Sequence, residues 1–334
     1  MKEDTLGVAI VGCGLVGEKR AKTLSKARLV ACADISLERA QRLAATFDGA
    51  LAYSDWREVL KRDDVDVVIV STFNNLLAEV TQKAVEAGKH VLVEKPAARN
   101  ARELKPVFKA VQNTGKKVRV GFNHRYHPAF LKARELFECG VLGELMFVRG
   151  RYGHGGRLGY EKEWRADPKL SGGGELIDQG IHLIDLARWF LGDFSEVMGF
   201  GHTYFWPMPV EDNAFMLLKT AQNQTAFLHV SCTEWKNLFS FEIYGRNAKL
   251  HIEGLGGSYG MERLTYYKML PQMGPPETTI WEYPMGDNSW QIEFQEFLED
   301  IRLDRIPSVN LGDARATLTI VEKIYLESGY DYYS

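Results

Sequence analysis

The sequence is poor in the features that mark an extracellular, membrane-spanning or nucleic-acid-binding chain. It has four cysteines, Cys13, Cys32, Cys139 and Cys232, in 334 residues. They stand far apart in no paired spacing, which excludes a disulfide framework and a zinc motif. No apolar run is longer than a strand, so no membrane-spanning helix is expected. Neither sign of charge dominates. Lys and Arg number 41 against 44 Asp and Glu, a net charge of −3, and this argues against nucleic acid or an anionic membrane as partner. Repeats and low-complexity linkers are also missing, so the domain junction is compact. The lead Met1-Lys2-Glu3-Asp4 is charged and runs toward a strand, unlike a secretory signal. The expectation is a soluble cytoplasmic protein with reduced thiols.

What is present is a succession of short β-branched runs, each closed by glycine, asparagine or a charged pair. The length suggests about two domains. Val91-Leu92-Val93-Glu94-Lys95-Pro96 reads as a buried parallel strand stopped by proline, which has no N–H for a ladder. Glu94 and Lys95 thereby fall at the carboxyl end of a strand, where open α/β sheets bind ligands. Upstream, Leu6 to Val11 reads as a strand, followed by Gly12-Cys13-Gly14-Leu15-Val16-Gly17 and a helix through Ser25. This is G-x-G-x-x-G in its required setting. Gly12 allows the tight turn, Gly14 lets backbone approach a pyrophosphate, and Gly17 lets helix and strand pack closely. A second strand, Leu29 to Ala33, ends in Asp34, placed to meet the adenosine ribose hydroxyls. Its charge would repel the extra phosphate of NADP, so NAD is the expected cofactor, with Ser36 and Arg39 partly offsetting the repulsion.

The alternation continues with helices Ser36 to Phe47 and Trp56 to Lys61, and strand Val65 to Val70. A helix to Ala87, the strand carrying Lys95, a helix near Arg102 to Gln112 and strand Val118 to Phe122 follow. Such a pattern predicts an N-terminal Rossmann doubly wound parallel sheet over residues 1–124. Residues 125–334 read as an α+β domain with an open, mostly antiparallel sheet. Its strands are expected at Leu145 to Tyr152, Val197 to Tyr204, Asn213 to Lys219, Thr225 to Trp235, Leu238 to Tyr244 and Lys249 to Glu253. Edge strands are expected at Arg263 to Leu270 and Thr278 to Tyr283. Two helices, Trp290 to Asp304 and Asp313 to Glu327, close the chain, with the option of packing back on the first domain.

A second polar constellation follows Gly172-Gly173-Gly174. Helical spacing puts Asp178, His182 and Asp185 on one face, opposite Ile177, Ile181 and Ile184. A carboxylate one turn from an imidazole orients it and raises its pKa, which suits a proton acceptor. An internally bonded structural pair has the same spacing, and so does a metal site, although nothing nearby closes its coordination. His124 and His127 lack further ligands, and no metal is expected.

Taken together, Gly12 to Gly17, Gly88-Lys89-His90-Val91-Leu92-Val93-Glu94-Lys95-Pro96 and Gly121-Phe122-Asn123 resemble the glucose-fructose oxidoreductase / inositol dehydrogenase / rhizopine catabolism (Gfo/Idh/MocA) family. The resemblance runs over essentially the whole chain. It implies that Lys95 lies beside the nicotinamide and touches the reacting hydroxyl, with Glu94 near the nicotinamide ribose. Ser71, Thr72 and Asn74 would contact adenosine, although Phe73 and Leu77 replace the family's proline and histidine. The G-G-G-x-L-x-D-x-G-x-H-x-x-D signature matches at each position. It implies Asp178 as substrate-binding aspartate and His182 as acid/base histidine. Trp164-Arg165 fits the segment that lines the substrate pocket, and Asn123 would meet cofactor and substrate.

The resulting expectation is an NAD-dependent oxidoreductase moving a hydride to or from a secondary hydroxyl or keto group. Its substrate would be a sugar, cyclitol or nucleotide-activated sugar. The resemblance also implies a homo-oligomer, dimer or tetramer, formed through the C-terminal sheet. Two other classes stay open: an NAD-dependent glycoside hydrolase that oxidises the sugar transiently, and a non-catalytic sensor of dinucleotide or sugar. Retention of Lys95, Asp178 and His182 argues against the sensor.

Overall fold

A computed structural model of the chain describes residues 5–272 and 274–330. The charged lead Met1 to Asp4, the last four residues, and Met273 in the loop Pro271 to Pro276 lie outside the described residues. The chain divides into two compact units. One runs to Phe122 and takes in Trp290–Arg315; the other holds Asn123–Ser289 and the chain from Ala316 onward. The chain passes between units three times, after Phe122, Ser289 and Arg315.

In the first unit strands and helices alternate: β1 (Leu6–Val11), α1 (Leu15–Lys22), β2 (Ala27–Ala33), α2 (Leu37–Ala44), β3 (Leu51–Tyr53) and α3 (Trp56–Leu60). There follow β4 (Val67–Val70), α4 (Asn74–Glu86), β5 (His90–Glu94), α5 (Lys105–Thr114) and β6 (Val118–Gly121). The six strands are parallel, in the order β3-β2-β1-β4-β5-β6. Strand order reverses at β1, whose carboxyl end carries the glycine turn, the place where doubly wound sheets bind nucleotides. Val8, Ile10, Val67, Ile69 and Leu92 are all fully buried, because helices cover both faces of such a sheet; hence the uninterrupted apolar runs. Of these strands, β3 was not expected from the sequence, since three residues, half-exposed at best, carry no periodicity.

The second unit opens with α6 (Pro128–Glu138), β7 (Leu145–Gly153) and the short α7 (Pro168–Ser171). A π-helical turn, Leu176–Gly180, leads into α8 (Ile181–Leu191). After it come β8 (Phe194–His202), β9 (Asn213–Thr220), β10 (Thr225–Ser231), β11 (Leu238–Gly245), β12 (Ala248–Glu253), β13 (Glu262–Lys268) and β14 (Glu277–Tyr283). They form one sheet, β14-β13-β12-β11-β7-β10-β9-β8, antiparallel except where β10 runs parallel to β7. β10 stops at Ser231, short of the expected Trp235, which adopts φ +58 in a turn. One face of the sheet receives α8. At Gly150 an added Cβ would come within 3.0–3.2 Å of Phe241, Leu228 and Leu183 side chains, so the missing side chain admits close packing of helix on sheet. The opposite face keeps Met198, Phe200, Leu217 and Phe227 exposed, with Leu217 registered against both Met198 and Phe227.

Two helices close the chain, α9 (Ser289–Arg302) and α10 (Leu311–Glu327). Phe294 and Phe297 of α9 are fully buried in the first unit's core beside Val8, Ile10 and Leu29. Next to them Arg20, fully buried, donates from Nε to Glu94 at 2.6 Å and from Nη1 to Glu293 at 2.5 Å. Its guanidinium lies 4.3 Å from the centroid of the Trp290 ring. Burial holds the Glu293 carboxyl above its ordinary range, against the pull of Arg20. Such a pair costs much to break, because the remaining charge stays buried. Among the described residues no helix is long and apolar enough to cross a membrane.

Candidate functional site

In the first unit the nucleotide cradle is built by three glycines with three different surroundings. Gly12 has φ +96, and a Cβ there would stand 2.4 Å from the Ser71 carbonyl. A Cβ on Gly17 would stand 2.0 Å from the Gly12 carbonyl. Gly14 faces open space, with nothing within 4 Å of an added Cβ. Two glycines are therefore needed to close the turn against β4 and α1, and the third leaves backbone bare toward a ligand. The amides at the start of α1, with Leu15 exposed and Val16 half-buried, have no side-chain cap from Gly14. An anion fits there.

Asp34 braces this turn. Its Oδ2 accepts from the Cys13 amide at 2.8 Å and its Oδ1 from the Ser36 amide at 2.9 Å. Each oxygen keeps a second lone pair, enough to accept from two ribose hydroxyls. Ser71 Oγ donates to the Gly12 carbonyl at 2.8 Å, joining β4 to the same turn. Gly12, Gly14, Asp34, Ser71 and Thr72 line one cleft of about 430 Å³, together with Ile35, Arg39, Trp56, Arg57, Phe73 and Leu76. Most of these additional residues were not singled out from sequence. Ile35 offers one signal, an apolar side chain 95% exposed directly after the acidic strand end. Trp56 and Arg57, whose guanidinium stacks 4.4 Å from the Trp56 ring, follow the unrecognised β3. Asn74 is buried at the start of α4 and Leu77 is wholly buried, so position 77 belongs to the core. Lys95 is half-buried where β5 ends, at a cis Lys95–Pro96 bond. Glu94 is turned to Arg20.

In the second unit Asp178 lies in the π-helical turn and His182 in the first turn of α8. The expected regular helix is thus widened ahead of the histidine, a distortion frequent at functional sites. Asp178 Oδ2 accepts from Arg165 Nε at 2.8 Å, and the Arg165 guanidinium lies 4.7 Å from the Trp164 ring centroid. The nearby Asp178 charge holds Arg165 above its ordinary value. Trp164, Arg165 and Asp178 are therefore brought together. Asp185 is not part of this group. It is buried and accepts twice from Arg125, at 2.7 and 2.5 Å, in a structural ion pair.

His182 is only 3% exposed and stacks on His124, centroids 3.7 Å apart and planes 22° apart. His124 Nδ1 lies 3.2 Å from Asn123 Oδ1, and Asn123 Nδ2 donates to Ser289 Oγ at 2.8 Å. The Asn123 amide is engaged at both ends. Beside the histidines stands Tyr152, which pairs edge-on with Tyr259 at 5.0 Å. Burial pushes the Tyr152 phenol well up and Tyr259 to about 12. His154, opposed by burial but hydrogen-bonded to Glu175, is held above its ordinary value. None of His124, Tyr152, His154 and Tyr259 is a site residue by sequence spacing, because the contacts that gather them, His124 on His182, Tyr152 on Tyr259 and His154 on Glu175, join residues far apart in the chain. Among the described residues no group of three or more His, Cys, Asp or Glu is placed to hold a metal ion.

Comparison with known proteins adds the family context. Residues 6–122 match the model described as oxidoreductase family, NAD-binding Rossmann fold, and residues 130–251 that of the GFO/IDH/MocA C-terminal domain. A levoglucosan dehydrogenase of Pseudarthrobacter phenanthrenivorans is 31% identical over 240 residues, 65% of this chain and 59% of that one. D-glucoside 3-dehydrogenase of Escherichia coli is 35% identical over 198 residues, 58% and 56% of the two chains. Those matches span little more than half the length of the relatives. The NAD(+) scyllo-inositol 2-dehydrogenase of Bacillus subtilis matches at 26% over 333 residues, 95% and 92% of the two chains. Among solved structures, a levoglucosan dehydrogenase in complex with NADH and levoglucosan shares the fold with a TM-score of 0.88 at 23% identity, covering 97% of each chain.

Proposed function

The chain belongs to the Gfo/Idh/MocA oxidoreductase family, and on that premise we propose that it is an NAD-dependent dehydrogenase or reductase of carbohydrate. The substrate class is a sugar, cyclitol or nucleotide-activated sugar, and the reacting group a secondary hydroxyl or its ketone. The observation that carries the reading is the cradle of Gly12, Gly14 and Gly17 braced by Asp34, bare where a pyrophosphate needs backbone. The Asp34 carboxylate takes the ribose hydroxyls and repels a 2′-phosphate, which favours NAD over NADP.

When bound, the nicotinamide supplies the hydride acceptor. The chain's own residues supply the proton chemistry and the grip. His182 accepts the hydroxyl proton. Lys95 stabilises the developing oxyanion by a charge-assisted hydrogen bond. Asp178, held by Arg165, accepts from neighbouring hydroxyls, and Trp164 offers an apolar face to the ring. Asn123 holds the histidine beside it. In oxidation the proton leaves the hydroxyl for His182 as the carbon–hydrogen electron pair leaves with the hydride.

Residues 1–124 serve the cofactor in this reading and residues 125–334 the substrate, apart from Trp290–Arg315, which belong to the first unit, in a cytoplasmic homo-oligomer. The exposed Met198, Phe200, Leu217 and Phe227 support assembly through the open sheet face. The test is a panel of sugars, inositols and nucleotide sugars with NAD⁺, read as NADH absorbance, alongside fluorescence titration with NADH and NADPH. Turnover on some panel member and tighter NADH binding are expected. Equal or tighter NADPH binding would remove Asp34 from its role.

A further inference from the structure

Behind His182 lies a run of hydrogen bonds whose polarity is fixed by chemistry. At its far end is the carboxylate of Asp287, which only accepts. Ser289 Oγ lies 2.6 Å from Asp287 Oδ1, so the serine proton goes to the aspartate. The Ser289 amide donates to the same oxygen at 2.9 Å. With its proton committed, Ser289 Oγ can only accept from Asn123 at 2.8 Å, which turns the Asn123 NH₂ toward it. The carbonyl of Asn123 then faces His124 Nδ1 at 3.2 Å, and a carbonyl accepts. His124 must therefore carry its proton on Nδ1. Amide orientation and tautomer, ordinarily ambiguous, follow here from one carboxylate.

The ring so fixed is the one stacked on His182 at 3.7 Å. We propose that His124, held as the Nδ1–H tautomer by Asn123, Ser289 and Asp287, is the positioning residue of His182: it sets the plane of the His182 ring, and the stacked pair carries at most one positive charge. Two imidazolium rings at this separation repel, so protonation of one disfavours the other. The π face of neutral His124 in turn favours a charged His182. Asn123 and Ser289 are almost or wholly buried, and His124 is 6% exposed, so the run is shielded from competing water. Titratable groups facing the pair include Tyr152, 5.3 Å from His124 and 6.3 Å from His182, and His127, edge-on to His124 at 5.6 Å. His127 is itself paired with Glu262 at 2.9 Å. Asp178 precedes His182 by four residues and is shared with Arg165.

This inference rests on the reading of His182 as proton acceptor, and its test separates the two. Nitrogen-15 NMR of histidine-labelled protein reads tautomer and titration midpoint of each ring without a substrate. Wild type should show His124 as Nδ1–H. Ser289→Ala frees the amide to turn over, and a mixed or Nε2–H tautomer should appear; Ser289→Thr should restore Nδ1–H. Asp287→Ala, at a site 30% exposed, should reproduce the change if Ser289→Ala does not fold. His124→Phe keeps a stacked ring but removes the competing base, so the His182 midpoint should rise by about half a unit or more. The acid limb of kcat/KM should move with it. His124→Ala should lower kcat about tenfold or more with cofactor affinity and KM nearly kept. An unchanged His124 tautomer in both relay variants, or an unmoved His182 midpoint in His124→Phe, overturns the inference. Full turnover in His182→Ala with the NMR results as expected would instead overturn the proton-acceptor reading alone.

Discussion

Adding one methyl group to Gly14 should separate cofactor binding from folding. Gly14 has φ −79 and ψ −167, a conformation alanine adopts without strain, and its Cβ would meet nothing within 4 Å. The substitution should leave stability unchanged or raise it by about 0.4–1 kcal/mol, through the lower entropy of the unfolded chain. The same methyl stands where a pyrophosphate must touch backbone. Pushing the phosphates out by roughly 1 Å stretches bonds from the α1 amides beyond useful length, and losing one charge-assisted bond costs about 1.5–3 kcal/mol. NADH affinity should therefore fall roughly 10- to 100-fold. Gly17→Ala is the control. Its Cβ would stand 2.0 Å from the Gly12 carbonyl, an impossible contact that must displace helix or turn at a cost of about 1–3 kcal/mol or more. Thermal denaturation and NADH fluorescence titration on wild type and both variants measure the two quantities independently. Gly14→Ala should bind poorly at full Tm, and Gly17→Ala should melt early. If Gly14→Ala bound NADH within twofold of wild type, the pyrophosphate would not lie over this turn.

Three further outcomes are expected. Lys95→Met should keep NADH affinity but lose most turnover, since the thioether retains the stem's volume and not the charge; near-native turnover would reduce Lys95 to a strand-end charge. His182→Ala should lower kcat strongly with NADH affinity almost unchanged, and Asp178→Asn should shift the acid limb of kcat/KM to lower pH by removing a nearby anion, a shift moderated because Arg165 already shares that charge. Glu211 is fully buried and accepts from the Gly174 and Leu176 amides and from Tyr325, and burial raises its carboxyl to about 7. With the folded pKa above the unfolded one, the native state binds the extra proton between about 4.5 and 7. Its contribution is present below that window and lost as pH rises through it, about 2 kcal/mol between pH 5.5 and 8. Urea denaturation should show this slope in wild type and lack it in Glu211→Gln; equal slopes would refute the assignment.

The first unit's architecture was legible because its determinants are local. Val67–Val70 and the strand ending at Glu94 are continuous apolar runs, and the glycine turn sits between strand and helix within twelve residues. The elements that escaped depend on partners distant in sequence. The three-residue β3 exists because it pairs with β2 at the sheet's edge. The widened turn at Asp178 does not alter the helical spacing of polar residues, so periodicity alone reads it as regular helix. Asp185 shares a face with the candidate site by spacing, but Arg125, sixty residues earlier in the chain, claims it. His124 drew notice only as a weak metal ligand near His127. Its stack on His182 has no counterpart in sequence spacing.

The return of the chain to the first unit has a consequence for its synthesis. Glu293 leaves the ribosome 273 residues after its partner Arg20. At roughly 5–20 residues per second, that interval is about 15 to 55 s. Throughout it the nascent sheet carries an arginine neutralised on one side only, and lacks Phe294 and Phe297 from its covering layer. The second unit waits in the same way, because Glu211 meets Tyr325, which also lies against Gly173, only 114 residues further along the chain. Each unit takes in chain made after part of the other, so the order of synthesis gives neither one a head start as a finished domain.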